Sequence, residues 1–158
     1  MSGLDEARFR EVLGHFATGI TIVTALEEGI PVGFTCQAFA ALSLDPPMVI
    51  LAPARSSTSW PRIAKAGSFC VNILEERQEA LCRAFAVSGG DKFDGIGWSH
   101  GITGAPLIQG SLATVECRLG EIFDGGDHEL VTGYVEAMDV GEGRPLIFYR
   151  GGFGRFAS

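Results

Sequence analysis

Apolar and polar residues change rhythm several times along this chain, and each change marks an element. In LDEARFREVLGHF (4–16), Leu4, Phe9, Val12, Leu13 and Phe16 recur at roughly helical spacing with charges between them. That spacing predicts an amphipathic N-terminal helix. TGITIVTA (18–25) is β-branched and predicts a strand, with a turn at Glu27, Glu28 and Gly29. IPVGFT follows as a second strand, and Gly33 inside it marks a bulge or a close backbone approach. PMVILAP (47–53) is a continuous apolar strand closed by Pro53. Ser56, Ser57, Thr58 and Ser59 are candidate caps for a short helix over 60–66, where Pro61 suits the first turn and Gly67 the end. SFCVNIL (68–74) predicts another strand, and EERQEALCRAFA (75–86) a helix with Leu81 and Phe85 one turn apart. SGGDKFDGIGW (88–98) is a Gly-rich loop. The remaining runs, SLATVECRLGEIFDG, HELVTGYVEAMDVG and RPLIFYRGG, are strand-like and are punctuated by glycine and acidic residues at hairpin intervals.

Many strands with two or three short helices predict a mainly β protein, built as a closed antiparallel barrel. Helices do not alternate with strands and no GxGxxG follows a strand, which argues against a dinucleotide-binding α/β fold. With 158 residues, no internal repeat and no linker, the chain is expected to form a single domain over 1–158. Hydrophobic residues at 46% and charged residues at 20% place it among globular chains. A net charge of −7 argues against nucleic acid as a partner, although backbone donors and one or two cations suffice to hold a phosphate locally.

Cys36, Cys70, Cys82 and Cys117 form no CxxC pair and no zinc-type spacing with histidine, so buried free thiols and no metal site are expected. The opening MSGLDEARFREVL is charged and mixed, unlike a signal peptide, and no apolar run approaches a membrane span. A soluble protein in a reducing, cytoplasmic setting is the expectation.

Four places carry candidate chemistry. Ser56, Ser57 and Thr58, with the N–H groups of the following helix and charge from Arg55, suit a phosphate, and they equally suit an ordinary helix cap. The turn Thr35-Cys36-Gln37-Ala38 offers side-chain and backbone donors for the edge of a flat polar ring such as an isoalloxazine, or plain strand-end chemistry. Lys92, one of two lysines, lies in Asp91-Lys92-Phe93 among glycines, where it fits an anionic ligand group or a solvated loop charge. His128 ends GGDH where a loop enters a strand; it can hold a nicotinamide, or simply bond Asp127. No nucleophile–base pair and no GxSxG elbow stands out. Hydride transfer between two cofactors needs orientation and ring electrostatics more than a protein nucleophile.

These stretches resemble, in order and spacing, the short-chain flavin reductase family, the NAD(P)H:flavin oxidoreductase components of two-component monooxygenases. The resemblance runs from FREVLGHFATGITIVTA (9–25) to PLIFYRGGFGRF (145–156) and rests jointly on GITIVTA, VGFT-x-x-x-F, SLDPP, RSSTSW, FCVNIL, DKF and GDHELVTGYV. It implies a split β-barrel of the FMN-binding, Greek-key-like type, a homodimer with flavin near the subunit interface, FMN or FAD as flavin, and NADH or NADPH as hydride donor. Reduced flavin would pass to a partner monooxygenase. Carried over by position, Thr35, Gln37 and Ala38 would lie along the flavin ring, and Ser56, Ser57 and Thr58 would hold the phosphate and ribityl region. Ser88, Lys92 and Phe93 would close over the phosphate end, and His128 would sit on the nicotinamide side. The family turn often reads T-x-N-S, so Gln37 and Ala38 depart from it. Two other readings share much of this pattern: a flavin-binding or electron-transfer protein without turnover, and a split-barrel FMN-dependent oxidase.

Overall fold

The computed structural model describes residues 4–157. The N-terminal helix is shorter than its periodicity suggested, α1 (Glu6–Leu13), because Asp5 caps it by accepting the Ala7 N–H at 3.0 Å and Gly14 closes it. None of its residues is buried, so its apolar side has no partner among the described residues. The first predicted strand divides at Ile20 into β1 (Thr18–Gly19) and β2 (Thr21–Glu27). Next come β3 (Ile30–Cys36), β4 (Phe39–Leu44), which the pattern did not mark, and β5 (Pro47–Leu51). Helix α2 (Trp60–Ala66) ends as expected at Gly67, whose φ of 83° is the left-handed conformation of a helix C-terminus. β6 (Ser68–Ile73) follows. The expected helix over 75–86 breaks into a 3₁₀ turn at Glu76–Gln78, held by a Glu75/Gln78 capping box, and α3 (Glu79–Phe85). After the Gly-rich loop lie β7 (Trp98–His100), β8 (Pro106–Ile108), the long hairpin β9 (Ala113–Gly125) and β10 (His128–Val140), then β11 (Leu146–Tyr149) and β12 (Gly152–Arg155).

Seven strands form the main antiparallel sheet in the order β3-β2-β6-β9-β10-β5-β4. Its two edges, β3 and β4, are consecutive in the chain and are joined only by Gln37 and Ala38. A flat sheet of this width would hold its edges about 29 Å apart. The link from Cys36 to Phe39 spans at most about 11 Å. The sheet must therefore curl until its edges meet, as a barrel with one seam, which is the split-barrel architecture.

β2 is buried on both faces, which its β-branched run requires. Val23 and Ala25 join Leu51, Trp60, Phe69 and Val131 inside the barrel. Ile20 and Ile22 face the other way and pack with Leu74, Phe85, Phe93 and Leu146 under α3 and β11. Gly33 lies in regular register opposite Thr24, so it is a close approach and not a bulge: an added Cβ would come within 3.1 Å of the Phe85 ring. All four cysteines are free and buried, as expected.

The second cluster is pinned by a polar hub. Asn72 is fully buried. Its Nδ2 donates to the Ile22 carbonyl (2.9 Å) and to Thr24 Oγ1 (3.0 Å), while Oδ1 accepts the Ile108 N–H (2.9 Å). Thr24 Oγ1 in turn donates to the Pro106 carbonyl at 2.6 Å. These bonds tie β6 to β2 and hold β8 over them. Asn72→Leu keeps the branched shape but strands the Ile108 donor and the Ile22 carbonyl bond, and should cost about 2–4 kcal/mol of unfolding free energy. Urea denaturation of both proteins measures it, and equal midpoints would remove Asn72 from that role.

Candidate functional site

The seam of the barrel opens into a groove of about 610 Å³, within the range of ligand pockets. One wall is the β3–β4 link. Thr35 donates its hydroxyl to the Cys82 carbonyl (2.7 Å), fastening β3 to α3. Cys36 is buried with its thiol toward the Ala38 carbonyl (3.5 Å), and burial pushes that thiol up to about 11. Gln37 and Ala38 are exposed, and Gln37 Nε2 donates to Thr18 Oγ1 at 3.0 Å. The longer amide that departs from the family turn is thus tethered to β1, and among the described residues its carbonyl oxygen makes no bond.

The facing wall is the segment after β5. Ser56 and Thr58 are exposed and Ser57 half-buried. Ser57 Oγ accepts the Trp60 N–H at 3.1 Å, so of the four candidate caps it is Ser57 that bonds the helix start, while Ser59, at the N-cap position itself, makes no side-chain cap bond. Among the described residues, the N–H groups of Ser56 and Thr58 make no bond within the protein. Cap and anion site are compatible here: one hydroxyl holds the helix, and its neighbours keep their donors.

The segment is held in place by its own strand pairing. Ala54 forms a bridge with His128 at the start of β10. The Arg55 N–H donates to the Asp127 carbonyl (2.9 Å), and the Glu129 N–H to the Pro53 carbonyl (2.9 Å). Arg55 does not line the groove. Its Nε donates to the Gly126 carbonyl (2.8 Å), and its guanidinium pairs with Asp124 and with Glu129 (3.5 Å). Glu129 also accepts the Trp60 indole N–H at 2.8 Å. Arg55, expected to lend charge to a ligand, is instead a clamp on the β9–β10 hairpin. The clamp sets His128 beside the hydroxyl segment, and Asp127 Oδ1 lies 2.8 Å from its Nδ1. That bond holds the Asp127 carboxyl below the usual carboxylate range. His128 bonds Asp127, as one of its two readings expected, and it also lines the groove.

At the other end, Ser88 and Lys92 line the groove. Lys92 Nζ donates to the carbonyls of Phe85 and Gly33, both at 3.2 Å. Two of its three donors are spent and one is left over. Burial holds the Lys92 ammonium below the ordinary lysine value, with no carboxylate among the causes. Phe93 does not line this groove: it is buried edge-on against Phe85 (5.0 Å) and Trp98 (6.2 Å), where it anchors the loop that carries Lys92. Phe16 and Thr18, just after α1, also line the groove. Their part was hidden because the helical spacing assigned Phe16 to a helix face.

The electrostatic arrangement is selective. The chain carries a net charge of −7, yet among the described residues no Asp or Glu lines this groove. A ligand entering it meets hydroxyls, amide groups, apolar walls, one histidine and one lysine. That set fits a flat polar ring at one end and a phosphate at the other. It offers no cluster of metal ligands among the described residues.

Comparison with known proteins agrees with this chemistry. Residues 13–157 match the model of the flavin reductase like domain. The reductase subunit HsaB of a flavin-dependent monooxygenase from Rhodococcus jostii is 49% identical over 149 residues, which cover 94% of this chain and 76% of that protein. The crystal structure of nitrilotriacetate monooxygenase component B from Mycobacterium thermoresistibile superposes with a TM-score of 0.94 at 47% identity, over 97% of this chain and 87% of that one. The NADH:FAD oxidoreductase SgcE6 of Streptomyces globisporus, in complex with NAD and FAD fragments, gives 0.91 at 35% identity, over 97% and 93%. With its fold and nearly its whole length in common with these proteins, the chain belongs to the flavin reductase like domain family.

Proposed function

We propose that this chain is a flavin reductase that uses NADH to reduce FMN or FAD and supplies the reduced flavin to a partner monooxygenase. The observation that carries this reading is the carboxylate-free groove at the seam, with an unspent lysine donor at one end and His128 at the other. When bound, flavin supplies the hydride acceptor and the nicotinamide the donor. The chain's residues bind and orient. Thr35 to Ala38 border the ring edge, with Gln37 Oε1 and backbone groups as polar partners. Ser56, Ser57 and Thr58 take the ribityl and phosphate oxygens, Ser88 borders the same end, and the third Lys92 donor adds charge there. Phe93 acts beneath that loop as packing. His128, its Nδ1 fixed on Asp127, keeps Nε2 for the carboxamide of the nicotinamide. Stacking two ring systems in one site removes the entropy cost of their encounter, which is the chief service a protein renders to hydride transfer.

The working unit in this reading is a homodimer. Leu4, Phe9, Val12, Leu13 and Phe16 at α1, with Leu42 and Leu44 on β4, leave apolar side chains exposed beside the groove-forming segments. A second copy of the chain would cover them.

The direct test is oxidation of NADH at 340 nm with FMN or FAD added; flavin-dependent turnover is the expected result, and flavin binding without turnover would reject the reductase.

The phosphate end has its own test. Aspartate at 57 can still accept the Trp60 N–H, so Ser57→Asp should fold while setting a charge against the phosphate. FMN should bind roughly tenfold more weakly, equivalent to about 1.4 kcal/mol, with riboflavin unaffected. In the parent, FMN affinity should hold while Lys92 is protonated and fall as pH rises through its lowered pKa, in a window below 10.5. Lys92→Arg should abolish that fall, since arginine stays charged. Calorimetric titrations across pH decide this, and a matching fall for riboflavin would take Lys92 off the phosphate.

For the nicotinamide side, His128→Ala should raise the apparent KM for NADH severalfold, with flavin affinity changed less than twofold. Steady-state kinetics with calorimetry separates the two, and a loss confined to flavin would move His128 to the flavin side.

A further inference from the structure

The side-chain polarity of the Thr35–Ala38 turn narrows to one group. The Thr35 hydroxyl is spent on the Cys82 carbonyl (2.7 Å). Cys36 is buried with its thiol toward the Ala38 carbonyl (3.5 Å), and Ala38 has no polar side chain. That leaves the primary amide of Gln37. One of its N–H groups goes to Thr18 Oγ1 at 3.0 Å. Among the described residues its other N–H and its carbonyl oxygen make no bond. A free donor and a free acceptor therefore stand side by side on one flat group.

Thr18 decides where that group points. Thr18, Gln37 and Phe39 line the groove and also a pocket of about 100 Å³ beside it, whose other walls are Gly19, Ile20, Thr21 and Ile73. The amide stands on the boundary between the two spaces, with room to turn into either. Among the described residues, the bond to Thr18 is the only one its side chain makes. Thr18 is itself held by the pairing of β1 with β11, opposite Phe148. The tether thus removes in advance rotamer freedom that an exposed glutamine would otherwise lose on meeting a ligand.

We propose that Gln37, oriented by Thr18, reads the pyrimidine edge of the flavin: its carbonyl oxygen accepts the ring N3–H, and its free N–H donates to a ring carbonyl beside it. Gln37 touches the ring in this arrangement, and Thr18 is a positioning residue. The inference rests on the reductase reading, which lays the ring along this turn and the phosphate near Lys92. Strand β3 supplies the scale. Lys92 Nζ sits on the Gly33 carbonyl, and Gln37 follows four residues later, about 13 Å along an extended chain. An FMN with its ribityl chain extended bridges such a span from phosphate to N3. A primary amide pairs bidentately with a ring edge that offers one donor and one acceptor, and the imide edge of the isoalloxazine is such an edge. The dimethylbenzene end has no polar atom and would leave the amide unpaired. The Gln37–Thr18 pair therefore sets which way the ring faces in the groove.

The test is calorimetric titration of the protein with FMN and with FMN methylated at N3, which cannot donate from that nitrogen. The parent should bind FMN at least roughly tenfold more tightly than the methylated form. Gln37→Ala, at an exposed position, and Thr18→Val, which keeps the β-branched shape without the hydroxyl, should each weaken FMN alone and bring the two flavins to within about threefold. Thr18→Ser keeps a hydroxyl and should keep the parent's ratio. A parent ratio below about threefold would overturn the edge reading while leaving the reductase reading in place. Equal weakening of both flavins in Gln37→Ala or Thr18→Val would reduce the pair to a structural tie and overturn it too. A ratio lost in Gln37→Ala and kept in Thr18→Val would overturn the role of Thr18. A parent that binds neither flavin would sink the reductase reading and the edge reading with it.

Discussion

The short link at Gln37 and Ala38 constrains everything else at the site. Because it joins the two edge strands of a seven-stranded sheet, the sheet has to close on itself, and the closure leaves a seam at one known place. A ligand groove at that seam follows from topology before any side chain is considered. The seam is then stitched at one end. The Ala52 N–H donates to the Ala38 carbonyl (3.0 Å), and Ala54 pairs with His128. The Thr35–Ala38 turn, the hydroxyl segment and His128 come from positions nearly a hundred residues apart in the chain, and this local pairing sets them around one opening.

Charge is distributed with the same economy. Arg55 sits next to the hydroxyl segment in sequence, yet its guanidinium is consumed by Asp124 and Glu129 of the hairpin. Lys92 comes from a distant loop, and its ammonium meets only carbonyl oxygens. Among the described residues, the groove of this acidic protein thereby offers an anion one lysine, held only by carbonyl oxygens, and no carboxylate. The strongly paired arginine supplies rigidity, and the weakly paired lysine supplies attraction.

Much of this was legible in the sequence wherever local physics governs. The β-branched run of β2, the apolar run of β5, the Pro61-to-Gly67 span of α2 and the Asn72 strand all carry their own signal. β4 did not, because FAALSL is rich in small residues and shows no clean alternation; it is a strand because β5 pairs with it. The misreading of Arg55 has the same origin, since the carboxylates that claim it lie about seventy residues further on. Phe93 was expected over the phosphate end beside Lys92 only by positional carry-over from the family, since the loop sequence shows no packing partner for it. Its partners, Phe85 and Trp98, are supplied by the fold. Ser57 shows a subtler limit: sequence offered capping and anion binding as alternatives, and the structure has Ser57 as the cap while Ser56 and Thr58 line the groove without capping.

The four buried cysteines bear on how such a protein survives its own chemistry. Reduced flavin that escapes its partner passes electrons to dioxygen and yields hydrogen peroxide, so a flavin reductase works beside an oxidant of its own making. Peroxide attacks thiolates far faster than thiols. Burial pushes Cys36 up to about 11 and Cys117 up to about 12, and raises Cys70 and Cys82 as well. Near neutral pH all four stay protonated and buried, including Cys36, which lines the groove. The packing that fills the core thus also keeps the thiol sulfur protonated and buried beside a reaction that leaks oxidant.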